Sequence, residues 1–156
     1  MFELLALDGF QAGLSWRTIL YKRDAFCRAF GDFDPQRVAR YTKDDIKRLL
    51  TDPGIVRNRL KIAATIDNAQ RLLEVQREFG SFDRYIWQFT GHRILRDPKG
   101  VTRGSMRSST QESDSMSRDL RKRGFRFVGT TICYAFMQSA SMVNDHVTGC
   151  FRESLS

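Results

Sequence analysis

Thr42-Lys-Asp-Asp-Ile-Lys-Arg-Leu-Leu-Thr-Asp52-Pro-Gly-Ile-Val-Arg-Asn-Arg-Leu-Lys-Ile62 is the stretch whose reading decides the fold. Thr42 with Asp45 has the form of a capping box, with Asp where Glu is usual. The helix it opens turns Ile46, Leu49 and Leu50 inward. Asp52-Pro53-Gly54-Ile55 breaks that helix, and a longer one follows with Ile62, Ile66, Ala69 and Leu73 on one face. A tight turn between two helices exposes backbone N–H groups at the start of the second, where hydrogen bonding and the helix dipole favour phosphate. Arg57, Arg59 and Lys61 follow the turn and add charge there. Spacing alone equally allows an ordinary helical hairpin with a basic edge.

Outward from this unit the pattern is helical almost throughout. Phe2, Leu4, Leu5 and Leu7 belong to a short apolar helix with no capping residue before it. Gly9 and Gly13 loosen the backbone ahead of Ser15, a candidate N-cap. Trp16, Ile19, Leu20, Arg23, Phe26, Cys27 and Phe30 then trace one amphipathic helix ended by Gly31. Asp34-Pro35 reads as an N-cap followed by proline at the first helical position. Ser81 caps a short helix with Phe82, Ile86 and Phe89. Residues 97 to 114 are polar and read as a surface loop. A basic helix stops at Gly124; Arg121-Lys-Arg123 in its last turn suits the helix dipole without any ligand. The last helix starts near Thr130 and is apolar nearly all round, which predicts burial.

The 156 residues suffice for one domain with a substantial core. At 41% apolar and 28% charged the composition is that of a globular chain rather than a disordered one. No apolar run is long enough to span a bilayer, and Met1 leads straight into Phe2-Glu-Leu-Leu with no basic leader. Three scattered cysteines (Cys27, Cys133, Cys150) do not make a disulfide framework and point to a reducing compartment, the cytoplasm. Twenty-six Lys and Arg against eighteen Asp and Glu leave +8. That excess favours a polyanionic partner through counterion release, or is simply a solvated basic surface.

Two constellations carry potential chemistry. In Leu7-Asp-Gly-Phe-Gln-Ala-Gly-Leu-Ser-Trp16, a carboxylate and an indole lie close in sequence. Such a pair recognises a flat cationic group by hydrogen bonding and cation–π attraction; the plain alternative is a surface Asp and a core Trp. His146 and Cys150 are four apart, on one face if helical. That spacing suits two zinc ligands, but a structural zinc needs four, and a satisfied histidine explains it as well.

In combination these residues resemble the DNA-3-methyladenine glycosylase I family. The resemblance rests on Leu7–Trp16, Asp52–Ile62, Lys122-Arg-Gly-Phe-Arg-Phe-Val-Gly-Thr-Thr-Ile-Cys-Tyr134 and Asn144-Asp-His-Val-Thr-Gly-Cys150. It covers nearly the whole chain; only the loop around 97 to 114 matches poorly. It implies an all-α bundle of the helix-hairpin-helix glycosylase superfamily, a single domain over 1–156. It further implies a monomer that excises 3-methyladenine from alkylated double-stranded DNA by hydrolysing the N-glycosidic bond after base flipping. By that resemblance Asp8 is the base-recognising carboxylate, Trp16 a stacking aromatic and Leu14 the wedge left in the duplex. Pro53, Gly54 and Ile55 form the DNA-gripping turn, with Arg57 and Lys61 beside it, and His146 and Cys150 are two of four ligands to a structural zinc.

Two departures qualify this. The family's carboxylate is Glu, and Asp8 is shorter by about one C–C bond, ~1.5 Å. The family also has an upstream segment with the other Cys and His ligands and a pocket Tyr. No counterpart occurs here, so the domain reads as N-terminally truncated and the zinc site as incomplete. A non-catalytic helix-hairpin-helix DNA-binding remnant is therefore the alternative; a basic adaptor for an acidic protein has no motif in its favour.

Overall fold

A computed structural model describes residues 1–98, 100–102 and 104–152. The chain is all-α apart from one minimal parallel strand pair. In order it forms α1 (Phe2–Gln11), α2 (Trp16–Tyr21), α3 (Arg23–Ala29), α4 (Pro35–Val38), α5 (Lys43–Thr51), α6 (Arg59–Phe79), α7 (Phe82–Trp87), β1 (Leu95–Arg96), α8 (Gln111–Lys122), α9 (Thr130–Ser139) and β2 (Val143–Asn144). Leu95 pairs with Val143 and Arg96 with Asn144, and Val101 bridges Val147. This pairing anchors the stretch read as a free surface loop to the end of the chain.

The predicted caps are in place. Asp34 accepts from Gln36 N–H at 2.9 Å, and Pro35 opens α4. Both halves of the Thr42–Asp45 box form, with Thr42 N–H donating to Asp45 Oδ2 at 2.9 Å. Ser81 caps α7 through Arg84 N–H, and Ser15 caps α2 through Thr18 N–H. Each device satisfies an N–H that the first turn of a helix leaves unpaired.

Four expectations change. The single helix expected from Trp16 to Phe30 is broken at Lys22, and Leu20 and Tyr21 lie exposed. The break lets Lys22 reach another element: its Nζ donates to Pro53 O at 2.9 Å and Gly54 O at 3.2 Å. On α6 the inward leucine is Leu72, with Leu73 half-buried. The last helix is not apolar all round in its setting: Cys133, Tyr134, Phe136 and Met137 are buried, while Thr131 and Gln138 face solvent.

The fourth concerns Lys61, expected on the surface against phosphate. It is buried, and its ammonium donates to Phe10 O at 2.8 Å and Ala12 O at 2.5 Å. The last turn of α1 has no basic residue and no glycine cap, so its carbonyls need a donor from elsewhere. Lys61 supplies it from α6, with its charge 5.9 Å from the centre of the Phe127 ring. Burial lowers its pKa below the ordinary lysine value.

α6 runs through the centre, about 31 Å long at 1.5 Å per residue. Around it a continuous apolar cluster gathers Phe10, Phe26, Phe30, Ile62, Leu72, Tyr85, Met116 and Phe136. Apart from one Asp8 carboxyl oxygen, the buried side-chain polar atoms have partners among the described residues. Asn68 binds the Arg126 backbone in both directions, at 2.8 and 2.9 Å, and Ser117 Oγ donates to Val128 O at 2.7 Å. These two side chains fix the turn from Phe125 to Val128, in which Phe127 takes φ 53°. Arg123, part of the basic helix end, stacks over Phe79 and Tyr85 and pairs with Glu78, a structural use of that charge.

Lys61→Met leaves two carbonyls at the end of α1 without their donor. The expected loss is about 3 kcal/mol, lowering the thermal midpoint by roughly 6–12 °C for a chain of this size, as read by circular dichroism. A shift under one degree would remove Lys61 from this role.

Candidate active site and nucleic-acid interface

The turn between α5 and α6 is held from both sides. Gly54 N–H donates to Asp52 Oδ1 at 2.7 Å, and Lys22 occupies the Pro53 and Gly54 carbonyls. A Cβ on Gly54 would stand 2.9 Å from Ala25 Cβ, so only glycine lets the turn approach α3 this closely. Ile55 is buried and anchors the turn in the core, leaving exposed Pro53 at the tip. The Ile55 side chain is thus withdrawn from any surface contact, and its N–H donates to Asp52 O at 3.5 Å.

Several N–H groups around the turn and the start of α6 are already taken. Gly54 has spent its N–H on Asp52, and Asn58 Oδ1 accepts from Leu60 N–H at 3.0 Å and Lys61 N–H at 3.2 Å. Arg57 and Arg59 are exposed, and their N–H groups have no partner among the described residues. Those two amides, with their guanidinium side chains, make the edge that can receive a phosphate. Leu60 beside them is an exposed large apolar side chain that spacing did not single out.

Leu14 is a second exposed apolar side chain, on the short link between α1 and α2. Its loop is stiffened at both ends: Leu14 N–H donates to Gln11 O at 2.6 Å, and Gln11 Nε2 donates to Leu14 O at 2.7 Å. Trp16 opens α2 with 36% of its surface exposed.

Asp8, in α1, is only 1% exposed. The acidic side of the cup expected from the sequence is therefore covered, while Trp16 is in part open to solvent. Asp8 Oδ2 meets Ser139 Oγ at 3.2 Å, and Oδ1 has no hydrogen-bond partner among the described residues. Ser139 Oγ also lies 3.0 Å from Phe136 O, and one hydroxyl proton serves only one of the two acceptors. Desolvation, offset in part by Ser139, raises the Asp8 pKa from an ordinary 3.8 to about 7. Ser139 itself is a surface residue, so one side chain separates the carboxyl from solvent. Nothing in local spacing signals Ser139; it lies 131 positions from Asp8.

His146 and Cys150 come together, with Cys150 Sγ 3.9 Å from His146 Nδ1. They do so in a turn after β2 rather than on a helix, where Cys150 N–H bonds Val147 O at 2.9 Å. Among the described residues no group of three or more His, Cys, Asp or Glu side chains could hold a metal. Two donors leave a tetrahedral ion half bound, so these residues by themselves do not fit a structural zinc.

A hollow of about 430 Å³ near β1 and β2 is lined by Asp97, Arg107, Tyr134 and Asp145. It is internally paired, Arg107 with Asp97 and Tyr134 with Asp145. Neither Asp8 nor Trp16 lines it. No helix among the described residues is long and apolar enough to cross a membrane.

Comparison with known proteins converges on one group. A family model described as methyladenine glycosylase matches residues 1–153. The chain is 45% identical over 150 residues to DNA-3-methyladenine glycosylase 1 of Escherichia coli (strain K12), an alignment covering 96% of this chain and 80% of that one. It superposes on a crystal structure of 3-methyladenine DNA glycosylase I with a TM-score of 0.92 at 45% identity, covering 96% of this chain and 82% of the other. A tyrosine-to-phenylalanine variant of 3-methyladenine DNA glycosylase I, solved with 3-methyladenine, matches with a TM-score of 0.93 at 34% identity, covering 97% and 81%. With near-complete coverage by the family model, high identity and the same helical architecture, the chain belongs to the methyladenine glycosylase family.

Proposed function

We propose that this chain is a DNA-3-methyladenine glycosylase, which removes the alkylated base from double-stranded DNA by hydrolysis of its N-glycosidic bond. The observation that carries the reading is the Asp8 carboxyl, buried with no charge partner and with one oxygen unpaired among the described residues. A fold tolerates such a group at a cost, and such groups concentrate at functional sites.

The chemistry follows from the lesion. An N3-alkylated adenine in DNA is cationic, so its bond to the sugar is already weakened and the leaving base needs little acid catalysis. What the protein must supply is eversion of the base, a site that prefers the cation, and access for water to the sugar. The Arg57–Arg59 edge grips a phosphate, and Leu14 stands as the wedge for the space left in the duplex. Trp16 offers a face on which the everted base stacks. Asp8, ionised, accepts a hydrogen bond from the base and offsets its charge. The base gains the carboxyl by taking the place of the Ser139 hydroxyl, whose proton is then free for Phe136 O. A non-catalytic DNA-binding remnant would have no use for an uncompensated buried carboxyl.

The His146–Cys150 pair is read as half of a zinc site. With no further donors among the described residues, zinc is expected to be held weakly, and atomic absorption on the dialysed chain should return well under stoichiometric metal. Stoichiometric retention would show that further donors complete the pair.

Asp8 gives two further tests. Its pKa is raised in the folded state, so folding favours the protonated form, and stability falls as pH rises from about 4 to about 7 before levelling off. Asp8→Asn escapes that loss. Its stability relative to the parent chain should improve by roughly 3 kcal/mol between pH 5 and pH 8, measured by urea unfolding at both values; a pH-independent difference would place the carboxyl in an ordinary ionised state. The ionised form is also the one that receives the cation. Base release from alkylated duplex, as kcat/KM, should therefore drop about tenfold per unit below pH 7. Asp8→Asn should lose that limb and at least about a hundredfold in rate, while undamaged duplex still binds. Equal loss of base release and duplex binding would exclude recognition of the base by Asp8.

A further inference from the structure

A hollow of about 420 Å³ lies where the end of α3, α4 and the first half of α5 meet. Arg28, Arg37, Arg40 and Arg48 line it, with Asp45 as the one carboxylate among its lining residues. All four arginines are exposed. Asp45 Oδ2 takes the Thr42 N–H and Oδ1 pairs with Arg48 Nη2 at 3.4 Å, which lowers its pKa and offsets one of these four charges.

The arginines are held rather than loosely solvated. Arg48 lies 5.6 Å from the centre of the Tyr41 ring and donates to Ala29 O at 3.4 Å. Arg40 Nε donates to Gln36 O at 3.0 Å. Arg37 folds across Gly31, where an added Cβ would come within 2.6 Å of its Cδ. Arg28 and Arg37 have no carboxylate partner among the described residues. Converging guanidinium groups with fixed stems suit the oxygens of a phosphate.

The position relative to the hairpin supplies the ligand. Ala25 packs on Gly54, and Arg28 lies three residues further along α3; Arg48 lies four residues before Asp52 on α5. Both are about one helical turn, ~5.4 Å, back from the turn that meets DNA. Duplex DNA carries a phosphate charge for about every 1.7 Å of its axis. A duplex seated on the hairpin therefore has further phosphates within reach of these side chains.

We propose that this hollow is a second phosphate-binding site, in which Arg28, Arg37, Arg40 and Arg48 take a backbone phosphate of the duplex next to the hairpin. The proposal rests on the reading of the chain as a DNA enzyme and adds a contact outside the lesion pocket. Base contacts are absent from such a site, so it adds affinity without sequence preference.

The test is the salt dependence of binding to an undamaged duplex by fluorescence anisotropy. Arg37→Gln is expected to flatten the slope of log K against log salt by about 0.9, the increment for one lost phosphate contact. Arg37→Ala with Arg40→Ala should flatten it by about one to two. Arg84→Ala with Arg118→Ala removes the same charge from α7 and α8 and should leave the slope unchanged. Equal flattening by the two double variants would reduce the hollow to general surface charge and overturn the proposal, as would unchanged slopes. Unchanged slopes with chemical-shift changes at these arginines on adding inorganic phosphate would assign the hollow to a free phosphate and equally overturn the duplex contact. Base release by the parent chain from alkylated DNA reports separately on the glycosylase reading, so the two failures are distinguishable.

Discussion

The bond between the Lys61 ammonium and the carbonyls of Phe10 and Ala12 joins the two halves of the candidate machinery. Lys61 belongs to the first turn of the helix that leaves the DNA-gripping hairpin. The carbonyls belong to the end of the helix that carries Asp8 and leads to Leu14 and Trp16. One side chain thus ties the start of α6 to the end of α1, and with it the proposed phosphate edge to the proposed base-contacting residues. A cation is suited to this task because it donates to several carbonyls at once, at the negative end of a helix, where a neutral donor would satisfy fewer. The same commitment removes Lys61 from the DNA surface. Lys22 makes an analogous clamp on the outer side, taking the carbonyls of Pro53 and Gly54. Between the two lysines the hairpin is set from both sides, and the N–H groups of Arg57 and Arg59 have no partner among the described residues.

Much of this architecture was legible in local sequence, because capping and turn chemistry act over two to four residues. Asp34-Pro35, Thr42 with Asp45, and Ser81 all form the bonds that their spacing implies. Gly54 is required by a close approach that the sequence marks with Pro-Gly. The misreadings share one cause, which is that a partner distant in sequence decided the outcome. Lys61 looked like one more basic residue after a turn, yet its acceptors are 49 and 51 positions away. The helix from Trp16 to Phe30 had unbroken periodicity, but Lys22 leaves it to reach the hairpin. Ser139 gave no sign of meeting Asp8. His146 and Cys150 come together in space, in a turn with Gly149 rather than on the helix that their spacing also allows. The family resemblance pointed to Asp8, but only the packing reveals that its carboxyl is covered.

That covering bears on how a short acid serves a family whose carboxylate, by the resemblance, is Glu. Asp8 is one carbon shorter, and its oxygens lie beneath Ser139 rather than at the surface. The arrangement gives up reach and gains a larger electrostatic response. A carboxyl in this position binds its proton near neutrality because burial disfavours the anion more than the Ser139 hydroxyl stabilises it. A cationic base supplies that stabilisation, whereas ordinary adenine, being neutral, does not. On the proposed role of Asp8, the cost of holding the buried carboxylate is offset when a cationic base arrives and is not offset by a neutral base bound to the same ionised form. Discrimination then comes from the contrast between an unpaired buried anion and a paired one, which is larger than the contrast available to a carboxylate already solvated at a pocket wall. The Ser139 hydroxyl fits this scheme: its single proton has an alternative acceptor in Phe136 O, so leaving Asp8 does not orphan it.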